Sequence, residues 1–223
     1  DMALRTKSRG RRTIWVLLSI ATIIACCDIL WSMYSALPQQ KWLSWLIGLS
    51  FIPVLDCLRY GQTGIFMLLG IVGFLYFQHH NLDWMAGVSL SLLAIKPHIL
   101  LLFLVAVFIW CIHERRWYIL LCALLSLSMA TFFAWLPNHS VIQQYMYVTS
   151  HYPPQQWATA TIGSFLRLLT SEDIFWLQFV PPGIGMTWLI VYWIKNHRNW
   201  NWLSQAPLVT LMSVSTAAYG WIY

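Results

Sequence analysis

The stretch TIWVLLSIATIIACCDILWSMYSA, residues 13–36, is apolar with few interruptions. A helix needs roughly 20 such residues to cross the hydrocarbon core of a bilayer. Residues 118–136, 174–194 and 202–223 form runs of the same kind. Across the 223 residues, 59% are hydrophobic and only 9% charged, with a mean hydropathy of +0.63. A soluble domain carries about 25% charged residues. The polar surface is too small to coat a globule in water, so the chain reads as an integral membrane protein that crosses the bilayer repeatedly.

The net charge of +6 does not point to nucleic acid, because the thirteen Lys and Arg are scattered between apolar runs and form no single basic face. They cluster in Arg5-Thr6-Lys7-Ser8-Arg9-Gly10-Arg11-Arg12, in His113-Glu114-Arg115-Arg116 and in Lys195-Asn196-His197-Arg198. The positive-inside rule makes all three segments cytoplasmic. Cys26, Cys27, Cys57, Cys111 and Cys122 sit in or beside apolar runs without C-x-x-C spacing, which suits small packing residues better than disulfides or a metal site. Asp1 opens the chain with no signal peptide ahead of the basic arm, and the last run ends at Tyr223 without a polar flank. That pattern suggests a piece of a longer protein.

The expected fold is all-α, a polytopic bundle of transmembrane helices. A cytoplasmic arm (1–13) leads into a span at 14–36. Residues 42–60 are interrupted by Gly48, Pro53, Asp56 and Arg59, which would leave backbone and charge unsatisfied in lipid, so they read as a re-entrant half-helix. A span follows at 64–78, and then a helix over 85–112 broken at 96–97. Residues 85–95 climb only about 16 Å, half the hydrocarbon thickness. Pro97 suits a fresh helix start, because its missing N–H needs no partner there. Lys96 then sits at the apex of a hairpin. An alternative path makes 42–60 a full crossing and 85–112 one broken crossing, with Gly61-Gln62 on the cytoplasmic side. Spans at 118–136, 174–194 and 202–223 flank an extracytoplasmic loop at 137–173. That loop is rich in Tyr, Trp and Pro, and its 162–169 segment has the pattern of an amphipathic interfacial helix.

Among residues that carry chemistry, an ionisable group inside a membrane segment is a functional-site hypothesis by default. Lys96 is that residue. It either snorkels or pairs with Asp56, or its compact ammonium receives a phosphate. His98 follows two residues on, as a hydrogen-bonded helix-start histidine or a substrate contact. Gln62, between two glycines at a helix start, is a polar cap or an anion contact favoured by free N–H groups and the macrodipole. Asp56 and Arg59, one turn apart, read as a mutually neutralising pair. His79-His80 lacks the partners of a metal site, and no metal is expected. Arg167, Glu172 and Asp173 read as solvated loop charges.

Arg59-Tyr60-Gly61-Gln62-Thr63-Gly64, Met85-Ala86-Gly87-Val88-Ser89-Leu90-Ser91-Leu92-Leu93-Ala94-Ile95-Lys96-Pro97-His98, Glu114-Arg115-Arg116-Trp117 and Tyr219-Gly220-Trp221-Ile222-Tyr223 together resemble the polyprenyl-phosphate-dependent glycosyltransferases of family 87. That family lies within the GT-C membrane glycosyltransferases, which include bacterial mannosyltransferases. The resemblance covers roughly residues 53–223. It implies transfer of a sugar, mannose among the candidates, from a polyprenyl-phosphate donor to a lipid or glycan acceptor on the extracytoplasmic side of a bacterial plasma membrane. No cofactor is implied, and the partners are membrane lipids, donor and acceptor. Lys96, His98 and Gln62 would meet the donor phosphate, while Arg59, Asp56, Tyr219 and Tyr223 would line the cavity. A fixed cation in a low-dielectric cavity would stabilise the leaving phosphate. The family's acidic base should precede Asp1, on a first outer loop, so no catalytic residue is assigned.

Two other functions compete. A non-catalytic subunit of a larger complex would keep the fold, lose the chemistry and bind other membrane subunits. A transporter would want inverted repeats, and none is visible.

Overall fold

The computed structural model describes residues 2–34, 37–151, 161–171 and 173–220. All regular structure among them is helical, and the chain forms two compact units, 1–95 and 96–223. Three helical stretches are long and apolar enough to cross a membrane: Arg12–Tyr34, Trp117–Trp135 and Phe175–Asn199. The bent pair Trp42–Ser50 and Ile52–Tyr60 is apolar enough only when its two helices are taken together, as a broken span or a re-entrant loop.

In the first unit, α1 (Met2–Tyr34) runs from the basic segment through the first apolar run without a break. The bent pair consists of α2 (Trp42–Ser50) and α3 (Ile52–Tyr60), set at 64°. Pro53 causes the break. It has no N–H for the carbonyl one turn back, yet it is tolerated in the first turn of a new helix. Lys41 and Trp45 both reach Asp28 on α1, Lys41 Nζ at 2.9 Å from Oδ2 and Trp45 Nε1 donating to Oδ1 at 2.6 Å. Gly48 then lies so close that a Cβ there would stand 2.5 Å from Cys27 Sγ. At the far end Arg12 Nη2 donates to the Arg59 carbonyl at 3.4 Å, and a Cβ on Gly61 would be 3.6 Å from Trp15 Nε1.

The pair therefore follows α1 from Asp28 back to Arg12, about 24 Å at 1.5 Å per residue. A half-helix re-entering from the outer face would return to the end of α1 near Tyr34. The observed pair runs along α1 and brings Gly61-Gln62 to the same end of α1 as the basic segment, a course that fits the alternative path.

From this end α4 (Gly64–His79) sets out, with Phe66 against Trp15 at 5.4 Å. It turns at Asn81, whose φ is 57°, into α5 (Asp83–Ser91) and a 3₁₀ turn over Leu92–Ile95. Gly70 and Gly73 let the two helices meet closely: a Cβ on Gly70 would stand 2.9 Å from the Ser89 carbonyl oxygen, and one on Gly73 2.5 Å from Ser89 Oγ. Small residues at such a contact are the usual means of helix association in lipid.

The second unit begins with a turn at 97–100, and α6 (Leu101–His113) starts four residues after Pro97, later than its preference for a first turn predicted. Ser213 supplies the missing cap. Its hydroxyl accepts from the Leu102 and Phe103 N–H groups at 3.1 and 3.4 Å and donates to the Ile99 carbonyl at 3.2 Å. Arg115, at φ 57°, turns the chain into α7 (Trp117–Trp135), on which Ile119 alone is buried, as befits a helix facing lipid. The 137–173 segment contains α8 (Val141–His151) and α9 (Ile162–Thr170). A 3₁₀ turn over Phe175–Phe179 runs into α10 (Val180–Asn196), and α11 (Trp202–Ser215) packs against α6. Trp202 is 2% exposed, its ring lying 5.4 to 5.7 Å from those of Phe103, Trp110 and Trp200. The single helix expected over 202–223 stops at Ser215. Thr216, Ala217 and Ala218 are buried in irregular backbone, which at membrane depth is tolerated only inside protein.

Candidate functional site

In the first unit the corner between α3 and α4 is built by Gly61, left-handed at φ 66°. Its N–H and that of Gln62 both bond the Cys57 carbonyl, closing α3 as a Schellman-type turn. Gln62 is half-buried there, just before the start of α4. Trp15 Nε1 is buried beside Gly61 without a hydrogen-bond partner, an orphan donor that sequence reasoning passed over. Asp56 and Arg59 are both exposed and do not form the expected ion pair; Arg59 lies over the Tyr60 ring at 5.5 Å. Asp28 of the same unit does pair, with Lys41.

In the second unit Lys96, His98 and Tyr219 converge. Lys96 is half-buried at the bend, its carbonyl accepting from the Ile99 N–H at 3.2 Å. The His98 ring meets Tyr219 edge-on at 6.1 Å, and Phe179 flanks the same tyrosine at 6.1 Å. His98 Nε2 is buried and has no hydrogen-bond partner. His98 lies in the turn outside the helices; burial, and then the charge of Lys96, push it below the ordinary histidine value of 6.5. It is neutral at neutral pH. Tyr223 lies outside the described residues.

Arg167 is where the sequence reading fails most clearly. Far from being a solvated loop charge, it is 9% exposed. On α9 the small and polar residues Gly163, Ser164 and Arg167 are buried, while Ile162, Phe165, Leu168 and Leu169 are exposed. The helix is amphipathic as expected, but its polar stripe faces protein and its apolar stripe faces outward, as a bilayer demands. Serine and arginine at i and i+3 behind a glycine were the signal.

Gln178, fully buried, fastens this region. Its Nε2 donates to the Ala218 carbonyl and shares its second hydrogen between Ser164 Oγ at 3.0 Å and Thr161 Oγ1 at 3.2 Å, and its Oε1 accepts from Arg167 Nη1 at 3.4 Å. Gly163 permits the approach, for a Cβ there would be 2.7 Å from the Gln178 carbonyl oxygen. The carbonyl before Tyr219 is thus tied to α9. His79 and His80 are exposed, with His80 Nδ1 at 2.7 Å from the Tyr76 carbonyl oxygen. Among the described residues no group of three His, Cys, Asp or Glu side chains comes together, and all five cysteines are free thiols.

The second unit therefore presents a corner that is cationic and partly dry, with an unsatisfied imidazole nitrogen, and suited to an anionic oxygen ligand. No curated protein and no solved structure matches the chain at a significant level. The sequence model of glycosyltransferase family 87 matches residues 10–221, nearly the whole chain and both units. With several apolar helices fit to cross a membrane and a family match of that extent, the chain belongs to glycosyltransferase family 87 and is a membrane glycosyltransferase.

Proposed function

We propose that the protein transfers a sugar, with mannose as the first candidate, from a polyprenyl-phosphate donor to a lipid or glycan hydroxyl on the extracytoplasmic side of a bacterial plasma membrane. The acceptor oxygen attacks the anomeric carbon, the bond from that carbon to the phosphate oxygen breaks, and the hydroxyl proton passes to a base. The leaving polyprenyl phosphate gains negative charge as the bond breaks. A cation already fixed in a water-poor site stabilises that charge without reorganisation.

The observation that carries this reading is the buried, unpartnered Nε2 of His98 beside Lys96. An empty acceptor or donor position next to an ammonium suits a phosphate oxygen better than an apolar ligand. Lys96 and His98 take the donor phosphate, and Tyr219 stands beside His98.

The test is binding of a labelled polyprenyl-phosphate mannose to the reconstituted chain. Lys96→Ala should weaken it roughly ten- to a hundredfold, the loss of a charge-assisted contact. Unchanged affinity would overturn the assignment, and wild-type protein that binds no donor would favour a non-catalytic subunit.

A further inference from the structure

Burying a guanidinium in a membrane protein is costly, and such residues mark functional sites by default. Arg167 is 9% exposed, and three elements contribute to its place. Gln178 Oε1 accepts from Nη1 at 3.4 Å, the Phe175 ring lies 5.5 Å from its central carbon, and Tyr219 feels its charge. Tyr219 in turn touches His98, whose Nε2 is buried and unpartnered. Gln178 binds the Ala218 carbonyl as well, so one carboxamide positions both the guanidinium and the backbone that carries Tyr219. Arg167 is thus linked through Gln178 and the 218–219 backbone to Tyr219 and His98, with Lys96 beside His98, all inside the second unit.

We propose that Arg167 is a second cation of the donor site, gripping the phosphate of the polyprenyl-phosphate sugar, and that α9 is a structural part of that site. The inference rests on the reading that Lys96 and His98 meet the donor phosphate. The two cations differ in chemistry. Lysine offers a point charge, whereas a guanidinium presents parallel N–H groups matched to two phosphate oxygens and keeps its charge when buried. Phe175 and Gln178 restrict the side chain, so less freedom is lost on binding. A phosphate held by a bidentate guanidinium as well as by the ammonium can change charge on leaving without losing its orientation.

The experiment measures binding of polyprenyl phosphate without sugar to the full chain in phosphatidylcholine nanodiscs, for wild type, Lys96→Ala, Arg167→Lys and Arg167→Gln. Arg167→Gln should weaken binding roughly ten- to a hundredfold. Arg167→Lys should fall between, with thermal unfolding close to wild type, so that a lysine variant that folds but binds poorly reports recognition and not collapse. If Lys96→Ala loses affinity while both Arg167 variants bind as wild type does, the inference falls and the donor reading stands. If the wild type binds no polyprenyl phosphate, both fall. Excess phosphatidylglycerol should not displace the probe. Equal displacement would make the anion at Arg167 a lipid headgroup and overturn its assignment to the donor.

Discussion

Replacing Gln178 by Leu removes the clasp between α9, the 3₁₀ turn and the segment after α11 while nearly preserving side-chain volume, so little cavity forms. The Ala218 carbonyl keeps only Thr161 Oγ1 at 3.4 Å, and Arg167 loses one acceptor. Ser164 and Thr161 still hold each other at 3.2 Å, so they add little to the cost. Two buried groups weakened at about 1–3 kcal/mol each give roughly 2–6 kcal/mol. Polar contacts within membrane bundles average nearer ~0.6 kcal/mol, which draws the expectation to the lower end, about 2 kcal/mol. That corresponds to a fall of roughly 4–8 °C in Tm for a chain of this size. Gln178→Glu separates the two halves of the clasp. It still accepts from Arg167, now as a charged acceptor, but has no hydrogen to give the Ala218 carbonyl. Hydrogen exchange should quicken at 217–220 in both variants, and at 162–170 only in Gln178→Leu. A Tm within 1 °C of wild type for Gln178→Leu, with unchanged exchange at 217–220, would refute the reasoning.

Two further outcomes follow from the geometry. Single cysteines at Gly10 and Gln62, in a background without the native thiols, should label from the same side of the membrane, because α2 and α3 bring the chain back to the start of α1; labelling from opposite sides would restore the half-helix path. His98 is held below its ordinary value, so the unfolded chain takes up the proton first and stability is lost as pH falls below about 6.5, with no effect above it. His98→Asn should remove that slope between pH 7 and 5, with Lys96, Arg167 and Tyr219 unchanged around it, and an anionic ligand bound at Nε2 should bind more tightly as pH falls. Identical pH profiles for wild type and variant would count against a buried, neutral His98.

Membrane residence and helical class were legible in the sequence because both rest on local properties. A run of some 20 apolar residues can satisfy its backbone in lipid only as a helix, whatever surrounds it. The family likeness was legible too, since Gly61-Gln62, Lys96-Pro97 and the terminal tyrosine cluster keep their order and spacing along the chain. Pro53 announced a break, but not whether the chain turned back there. That depended on Asp28 meeting Lys41 and Trp45 at one end and Arg12 meeting the Arg59 carbonyl at the other, contacts between residues far apart in sequence. Arg167 escaped for a related reason. An amphipathic helix read alone has no sign, and the water-trained expectation turns its arginine outward, whereas lipid outside and polar groups of Gln178 and Thr161 inside reverse it. The sequence by itself determined that these segments are helices fit for a bilayer and which motifs they carry. Only the tertiary structure decided which way each helix faces and at which end the polar corners lie, because burial of a charge is repaid by partners that no local stretch contains.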